Sequence, residues 1–187
     1  MRSEVNAKSE LGLKISAVLS RGELVSDDIT NALAIHYLEN LTSSVILDGY
    51  PRTLAQAQFL TCQESFFSIP TIAINIVLDK SVIVEKLLGR KICKNCGLDF
   101  NTADVWRDGF EMPAILPHCN CPQGKNCEQE LVSRADDTEE IIFRRLNDYE
   151  LNAEPLLEHF RKLKCLRVFQ VKRGLADTND LIDVMLS

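Results

Sequence analysis

The run Asp48-Gly49-Tyr50-Pro51-Arg52-Thr53 is the sharpest chemical signal in this sequence. The apolar residues Val45-Ile46-Leu47 before it are typical of a buried strand, and α/β proteins place ligand sites at the carboxyl ends of such strands. Gly49 permits a tight turn there. The aspartate can hold Mg²⁺ through water, and Arg52 can clamp a phosphate as a two-pronged donor. The alternative interpretation is a strand-end turn with an exposed arginine.

The second such signal is a cluster of five cysteines between residues 93 and 127. Cys93 and Cys96 have the spacing of a structural zinc knuckle. The second half of the pattern is less regular, because the same spacing back from Cys127 reaches Gly124. This clustering favours a metal site in a reducing compartment over a disulfide scaffold, although incidental thiols remain an alternative. The candidates for the remaining ligand are Cys121, Cys119 and His118.

Strands and helices must position these residues. The predicted strands and helices alternate along the chain, which predicts an α/β fold with a parallel sheet. Residues 71–78 are almost continuously apolar and β-branched, as in a strand covered on both faces. A long helix is expected to open near Asp137 and to kink or restart at Pro155. We expect Cys62 and Cys165 to be buried small apolar residues. The other predicted helices span 3–21, 26–40, 54–60, 80–88 and 178–186, and a last strand spans 166–171.

Composition excludes several classes of protein. A chain of 187 residues suits one compact domain with a small inserted subdomain. The net charge of −6 argues against a nucleic-acid or membrane-surface binder. No apolar run approaches the roughly 20 residues that span a bilayer. Residues 90–133 differ from the rest in their proline, glycine and cysteine content, which indicates the insertion.

The run from Asp48 to Thr53 resembles the DG[FY]PRT signature of adenylate kinases. Ser9–Gly12 and Gly22–Ser26 resemble the family's AMP-binding subdomain, while Gly89–Cys93 and Arg134–Asp137 resemble the two ends of its lid. The resemblance implies a P-loop kinase-like parallel sheet flanked by helices, with an inserted zinc-type lid. The implied domains are a partial AMP-binding subdomain at 1–25, a core at 26–88 and 134–187, and a lid at 89–133.

The resemblance also implies reversible phosphoryl transfer, in which ATP and AMP give two ADP, with Mg²⁺ carried by the nucleotide. The AMP-binding residues would be Arg2, Leu24, Val25, Gly49, Arg52 and Gln56. The catalytic residues around the transferring group would be Arg90, Arg134, Arg145 and Asp48. The ATP-binding residues would be Arg90, Lys86 and Gly174. The zinc ligands would be Cys93, Cys96, Cys121 and Cys127.

A phosphate-binding loop of the form GxxxxGK[ST] does not occur within the 187 residues. The family places that loop on a strand before the residues that resemble Met1-Arg2, so we expect a missing N-terminal strand and impaired transfer. The alternative is a non-catalytic AMP-binding or regulatory relative, or a truncated isoform. The expected partners are ATP or another nucleoside triphosphate and AMP, without nucleic acid or membrane, in a monomer. A cytoplasmic and a mitochondrial or other organellar location both stay open.

Overall fold

The computed structural model describes residues 9–20, 25–39, 43–63, 66, 69–117, 126–134 and 137–187. The chain divides into two compact units, Met1–Thr71 and Ile72–Ser187. None of the described helices is both long enough and apolar enough to cross a membrane. The predictions made for Arg2, Leu24, His118, Cys119 and Cys121 lie outside the described residues.

The first unit contains three described helices: α1 (Glu10–Ser20), α2 (Asp27–Glu39) and α3 (Leu54–Thr61). Hydroxyl groups satisfy backbone donors at two of their N-termini. Ser9 Oγ accepts the Gly12 N–H at 2.9 Å, and Thr53 Oγ1 accepts the Gln56 N–H at 3.2 Å. The caps fix where α1 and α3 begin.

The predicted buried strand at Val45–Leu47 is wrong. Residues 44–47 form no strand, and Val45, Ile46 and Leu47 are 47%, 79% and 37% exposed. A strand needs a neighbour that pairs its N–H and C=O groups and covers its side chains. No described residue pairs with this segment.

The second unit is built on a parallel pair of strands, β1 (Ala73–Val77) and β7 (Leu166–Gln170), in which Ala73 lies opposite Leu166. The helices of this unit are α4 (Lys80–Leu88), α5 (Glu139–Lys162) and α6 (Thr178–Leu186). The predicted restart at Pro155 does not occur, because α5 runs through it as one helix of 24 residues. A proline there removes only one backbone hydrogen bond of a long ladder.

Strand β1 is less covered than its composition predicted. Ile76 is 55% exposed and Val77 is 38% exposed, so the strand is not buried on both faces. The reason is that β7 is its sole partner among the described strands. The rest of the sequence prediction for this part of the chain, a parallel sheet flanked by helices, is confirmed.

The predicted insertion contains two small antiparallel sheets. One has the order β3 (Asp99–Asn101), β2 (Arg90–Cys93), β6 (Leu131–Val132). The other is a hairpin of β4 (Val105–Arg107) and β5 (Phe110–Met112), joined by Asp108 and Gly109 with φ of 52° and 78°. This hairpin shares a hydrophobic cluster with Val82 of α4, against which Leu78 and Val171 pack. Since Leu78 and Val171 directly follow β1 and β7, the hairpin lies at the carboxyl ends of the parallel strands.

Candidate nucleotide and metal sites

The turn from Asp48 to Thr53 leads into α3 and leaves two of its charged groups exposed. Gly49 has a φ of +70°, which a residue with a side chain rarely adopts, and the Tyr50–Pro51 peptide is cis. The Arg52 Nε donates to the Gly49 carbonyl at 2.8 Å, which fixes the base of the guanidinium. The Asp48 carboxylate is exposed beside it. The turn therefore presents an anchored cation and a free-standing carboxylate to solvent.

The Gln56 carboxamide lies behind this turn and is almost buried, with 6% of the residue exposed. Its Nε2 donates to Asp27 Oδ1 at 2.6 Å and, more weakly, to Thr30 Oγ1 at 3.3 Å. Its Oε1 accepts the Arg52 backbone N–H at 2.7 Å. The carboxamide is thus held from both ends, by α2 on one side and by the turn on the other.

Helix α2 also holds the aromatic residue of the turn. The Tyr50 hydroxyl donates to Asn31 Oδ1 at 2.6 Å. Burial raises the pKa of Tyr50, and the negative charge of Asp27 raises it further. The phenol therefore stays neutral and acts as a hydrogen-bond donor that fastens the turn to α2.

Two of the three arginines predicted around the transferring phosphoryl group pair with carboxylates. Arg90 Nε donates to Asp137 Oδ2 at 2.7 Å and its Nη2 donates to Oδ1 at 2.5 Å, while the Asp137 side chain is only 1% exposed. Arg134 Nη2 donates to Asp99 Oδ1 at 2.5 Å. The Arg134 Nε is buried and has no hydrogen-bond partner among the described residues. Arg145 is exposed on α5.

Lys86, which was predicted to contact ATP, is engaged by the inserted segment. Its Nζ donates to the carbonyl oxygens of Ala103, Met112 and Pro113 at 2.9, 2.7 and 3.1 Å. Burial lowers the pKa of Lys86, although Asp104 and Glu85 partly oppose this. An ammonium group has three hydrogens, so these carbonyls account for all of them. Lys86 fastens α4 to the ends of the hairpin without a nucleotide.

Gly174, the other predicted ATP contact, has a φ of +60° and opens a short 3₁₀ helix, Gly174–Asp177. The buried Asp177 carboxylate closes the loop before this helix. It accepts the N–H groups of Lys172 and Arg173 at 2.7 and 2.6 Å and the Arg173 Nε at 2.9 Å. The backbone around Gly174 is thereby held in place at the end of β7.

The sulfur atoms of Cys93, Cys96 and Cys127 form a thiol cluster in which all lie within 4.8 Å of one another. Cys96 Sγ and Cys127 Sγ are 3.8 Å apart. Cys93 and Cys127 are 0% and 2% exposed, and Phe100 and Leu131 pack against them. The three-stranded sheet positions the cluster, since Cys93 ends β2 and Cys127 lies just before β6.

The electrostatics of the thiol cluster suit a soft cation. The backbone N–H groups of Cys96 and Asn95 donate to the Cys93 sulfur and, led by Cys96, lower the pKa of Cys93. Burial raises the pKa of Cys127 to about 12, and its neighbouring thiols add to this. A metal ion stabilises the thiolate form of every ligand, so it would offset the burial. These three sulfur donors fit zinc.

Several partnerships were missed by the sequence reasoning. Asp27 was placed only near the start of the helix predicted at 26–40, yet it holds Gln56, 29 positions away. No local pattern marks a pair that far apart. Cys62, predicted to be buried, is exposed because it follows the last turn of α3. The Asp108-Gly109 pair between apolar residues was a hairpin signal that could have located β4 and β5.

Comparison with known proteins agrees with the fold. The sequence profile described as "Adenylate kinase" matches residues 1–165. GTP:AMP phosphotransferase from Plasmodium falciparum is 32% identical over 192 residues, covering 100% of this chain and 82% of that protein. Adenylate kinase from Thermosipho melanesiensis is 36% identical over 189 residues, with the same coverage. Chloroplastic adenylate kinase 1 from Arabidopsis thaliana is 34% identical over 188 residues, covering 95% and 63%.

The matches and the α/β fold define a nucleoside monophosphate kinase, an enzyme class that transfers phosphoryl groups between nucleotides. The chain belongs to the adenylate kinase family. This confirms the family and enzyme class predicted from the turn at Asp48–Thr53 and from the lid. Adenylate kinases use Mg²⁺ together with the nucleotide.

Proposed function

We propose that the protein binds AMP at the turn before α3 and takes part in reversible phosphoryl transfer between a nucleoside triphosphate and AMP. One observation carries the proposal: a single turn presents the exposed Arg52 guanidinium while its backbone supports the buried Gln56 carboxamide. A mononucleotide has a phosphate at one end and a base at the other, so a cation and an amide suit its two ends. The AMP site would also use Arg2, Gly49 and the backbone of Leu24 and Val25.

The phosphoryl group would be stabilised by Arg90, Arg134 and Arg145, because this reaction mainly requires positioning and charge neutralisation. Asp137 orients Arg90 through two parallel hydrogen bonds, which supports a positioned rather than a mobile guanidinium. Arg134 retains a donor that no described residue accepts. Asp48 would hold Mg²⁺ through water, and the ion would supply charge neutralisation for the phosphates. The donor is ATP or GTP, with Gly174 and Lys86 near its base.

We propose that the zinc ion has a structural role. Cys93, Cys96, Cys127 and a fourth ligand, Cys121, would hold one ion, since the sulfurs of two buried cysteines and the half-buried Cys96 already converge. Zinc would tie Cys93 of β2 to Cys127, which precedes β6, and so link the two strands. The ion takes no part in the transfer itself.

A binding experiment tests the AMP site. Titration of the 187-residue protein with AMP in a calorimeter should show binding that Arg52→Ala weakens by about 10- to 100-fold, the effect of losing a hydrogen-bonded charge. Arg144→Ala is the matched control, because Arg144 is an exposed arginine whose ion pair with Glu140 lies on α5. Equal affinity of the Arg52 variant and wild type would contradict the proposed site.

A second candidate function is AMP binding without catalysis, favoured by the lack of a GxxxxGK[ST] sequence within the 187 residues. That loop supplies backbone amides and a lysine to the donor phosphates. We expect the 187-residue polypeptide to bind AMP but to form ADP slowly from AMP with either ATP or GTP. A coupled assay with both donors decides between the candidates, since normal turnover would refute impairment.

A further inference from the structure

We infer that Asp27 sets the base selectivity of the AMP site by fixing which way the Gln56 carboxamide points. This inference rests on the proposed function, in which Gln56 contacts the base. Asp27 itself is a positioning residue, since it contacts Gln56 and lies at the start of α2. Its Oδ1 is 2.6 Å from Gln56 Nε2, the shortest of the three contacts that hold the carboxamide.

The chemistry of these contacts allows one orientation of the carboxamide. A carboxylate only accepts hydrogen bonds, so the group facing Asp27 must be the NH₂ of Gln56. The Arg52 backbone N–H only donates, so the group facing it must be the Gln56 oxygen. A rotation by 180° would set oxygen against oxygen and N–H against N–H, and both bonds would be lost inside a buried site.

The orientation matters because purine bases differ along the edge that an amide reads. Adenine offers the N6 amino group as a donor and N1 as an acceptor, whereas hypoxanthine and guanine offer O6 as an acceptor and N1–H as a donor. Gln56 has a second lone pair on Oε1 and a second hydrogen on Nε2. In the structure this second hydrogen makes only the weaker contact of Nε2 with Thr30 Oγ1, at 3.3 Å. The locked carboxamide matches adenine, and the reversed one matches a 6-oxopurine. Asp27, together with the Arg52 N–H, therefore excludes the reversed state.

Asparagine at this position would remove the Asp27 half of this constraint while nearly preserving shape. The Asp27→Asn side chain can either accept from Gln56 Nε2 or donate to Gln56 Oε1, so the reversed orientation of Gln56 would lose only the Arg52 N–H bond instead of both bonds. Asp28→Asn is the matched control. Asp28 is the next residue in the same first turn of α2, is exposed, and loses the same charge from the same helix end.

The experiment measures AMP and inosine monophosphate binding by calorimetry for the full 187-residue wild type and these variants. Wild type should prefer AMP by about 10- to 100-fold, the usual discrimination of a two-bond amide contact. Asp27→Asn should reduce this preference at least about fivefold, mainly by weakening AMP, which corresponds to about one lost hydrogen bond. Asp28→Asn should keep the wild-type ratio.

Each outcome has a distinct meaning. In one outcome the Asp27→Asn variant keeps the wild-type ratio of the affinities for AMP and inosine monophosphate, because both affinities fall equally or neither falls. That result overturns the positioning role of Asp27 and leaves the proposed AMP site intact. Failure of wild type to bind AMP overturns the proposed function and this inference with it. Circular dichroism checks that the variant is folded; if it is not, Asp27→Ala, which removes the acceptor and offers no donor, must lower the same ratio.

Discussion

The thiol cluster and the Gln56 carboxamide are both buried polar groups, but they are satisfied in opposite ways. Gln56 finds its acceptor in Asp27 and its donor in the Arg52 backbone, so the protein completes that site by itself. In the thiol cluster, the three sulfurs face one another, with Cys96 and Cys127 3.8 Å apart, and burial disfavours the thiolate of Cys127.

This difference indicates which sites need a ligand to be stable. Neutral or paired groups that saturate one another preorganise a site before any substrate arrives. Converging sulfurs gain little from one another, since thiols are weak donors and acceptors, and they gain much from a metal ion. We therefore expect ligand removal to unfold the surroundings of the thiol cluster and to leave the surroundings of Gln56 unchanged.

The largest expected effect is that of metal removal. Purified protein should contain about one zinc per chain, and chelation or Cys93→Ser should release it and unfold the three-stranded sheet, because a structural zinc contributes on the order of 10 kcal/mol. Elemental analysis and hydrogen exchange of β2 and β6 measure both changes. If zinc-free protein kept its β2 amides protected from exchange, the thiol cluster would not need a metal ion for stability, and it would not differ from the Gln56 site in this respect.

The next effect concerns Arg90, whose partner is a buried carboxylate. Arg90→Ala should lower the free energy of unfolding of the second unit by about 3 kcal/mol, since it leaves Asp137 buried and unpaired. The fluorescence of Trp106, the single tryptophan, reports that unfolding in urea. The double variant with Asp137→Ala should recover part of the loss. Strict additivity of the two single losses would show that the pair does not act as a unit.

A smaller effect is expected at Asp177, another group saturated by the protein. Burial opposes its charged form, but the donors of Arg173 and Lys172 outweigh this and lower the pKa of Asp177. Asp177→Asn should cost about 2 kcal/mol at pH 7, because it replaces an acceptor of three hydrogen bonds.

The pH dependence of the Asp177 effect has a definite sign. A carboxylate whose pKa is lower in the folded state stabilises that state above the ordinary aspartate value of about 3.9. The difference between wild type and Asp177→Asn should therefore be full at neutral pH and shrink as pH falls through the folded pKa. Urea melts at pH 7 and pH 3 measure it, and a difference that grows on acidification would contradict this account.

The smallest effect is expected at Cys62, a thiol outside the cluster. Cys62→Ser should change the free energy of unfolding by no more than about 0.5 kcal/mol, because the side chain is exposed. The melting temperature and the zinc content should therefore stay close to those of wild type. It is the natural control for Cys93→Ser. A loss of zinc in the Cys62 variant would mean that the thiol cluster has been assigned to the wrong cysteines.

The sequence predicted local features well where the local pattern carries the physical cause. Helix α4 was predicted at 80–88 and lies there, because Asp79 caps its start and Gly89 follows its last turn. Knuckle spacing brought Cys93 and Cys96 together. The prediction failed at Val45–Leu47, since a strand depends on a neighbour that the segment's own residues do not encode.

By itself, the sequence determined the family, the turn that carries Arg52, the start of the helix that carries Gln56, and the cysteines that can hold zinc, because spacing within a segment decides each of them. Only the tertiary structure decided that Asp27 orients Gln56, that Asp137 and Asp99 pair with Arg90 and Arg134, and that Lys86 donates to three lid carbonyls. Those partners lie far apart in the chain. Charge and hydrogen-bonding capacity are visible in a sequence, whereas the partner that satisfies them depends on which segments the fold brings into contact.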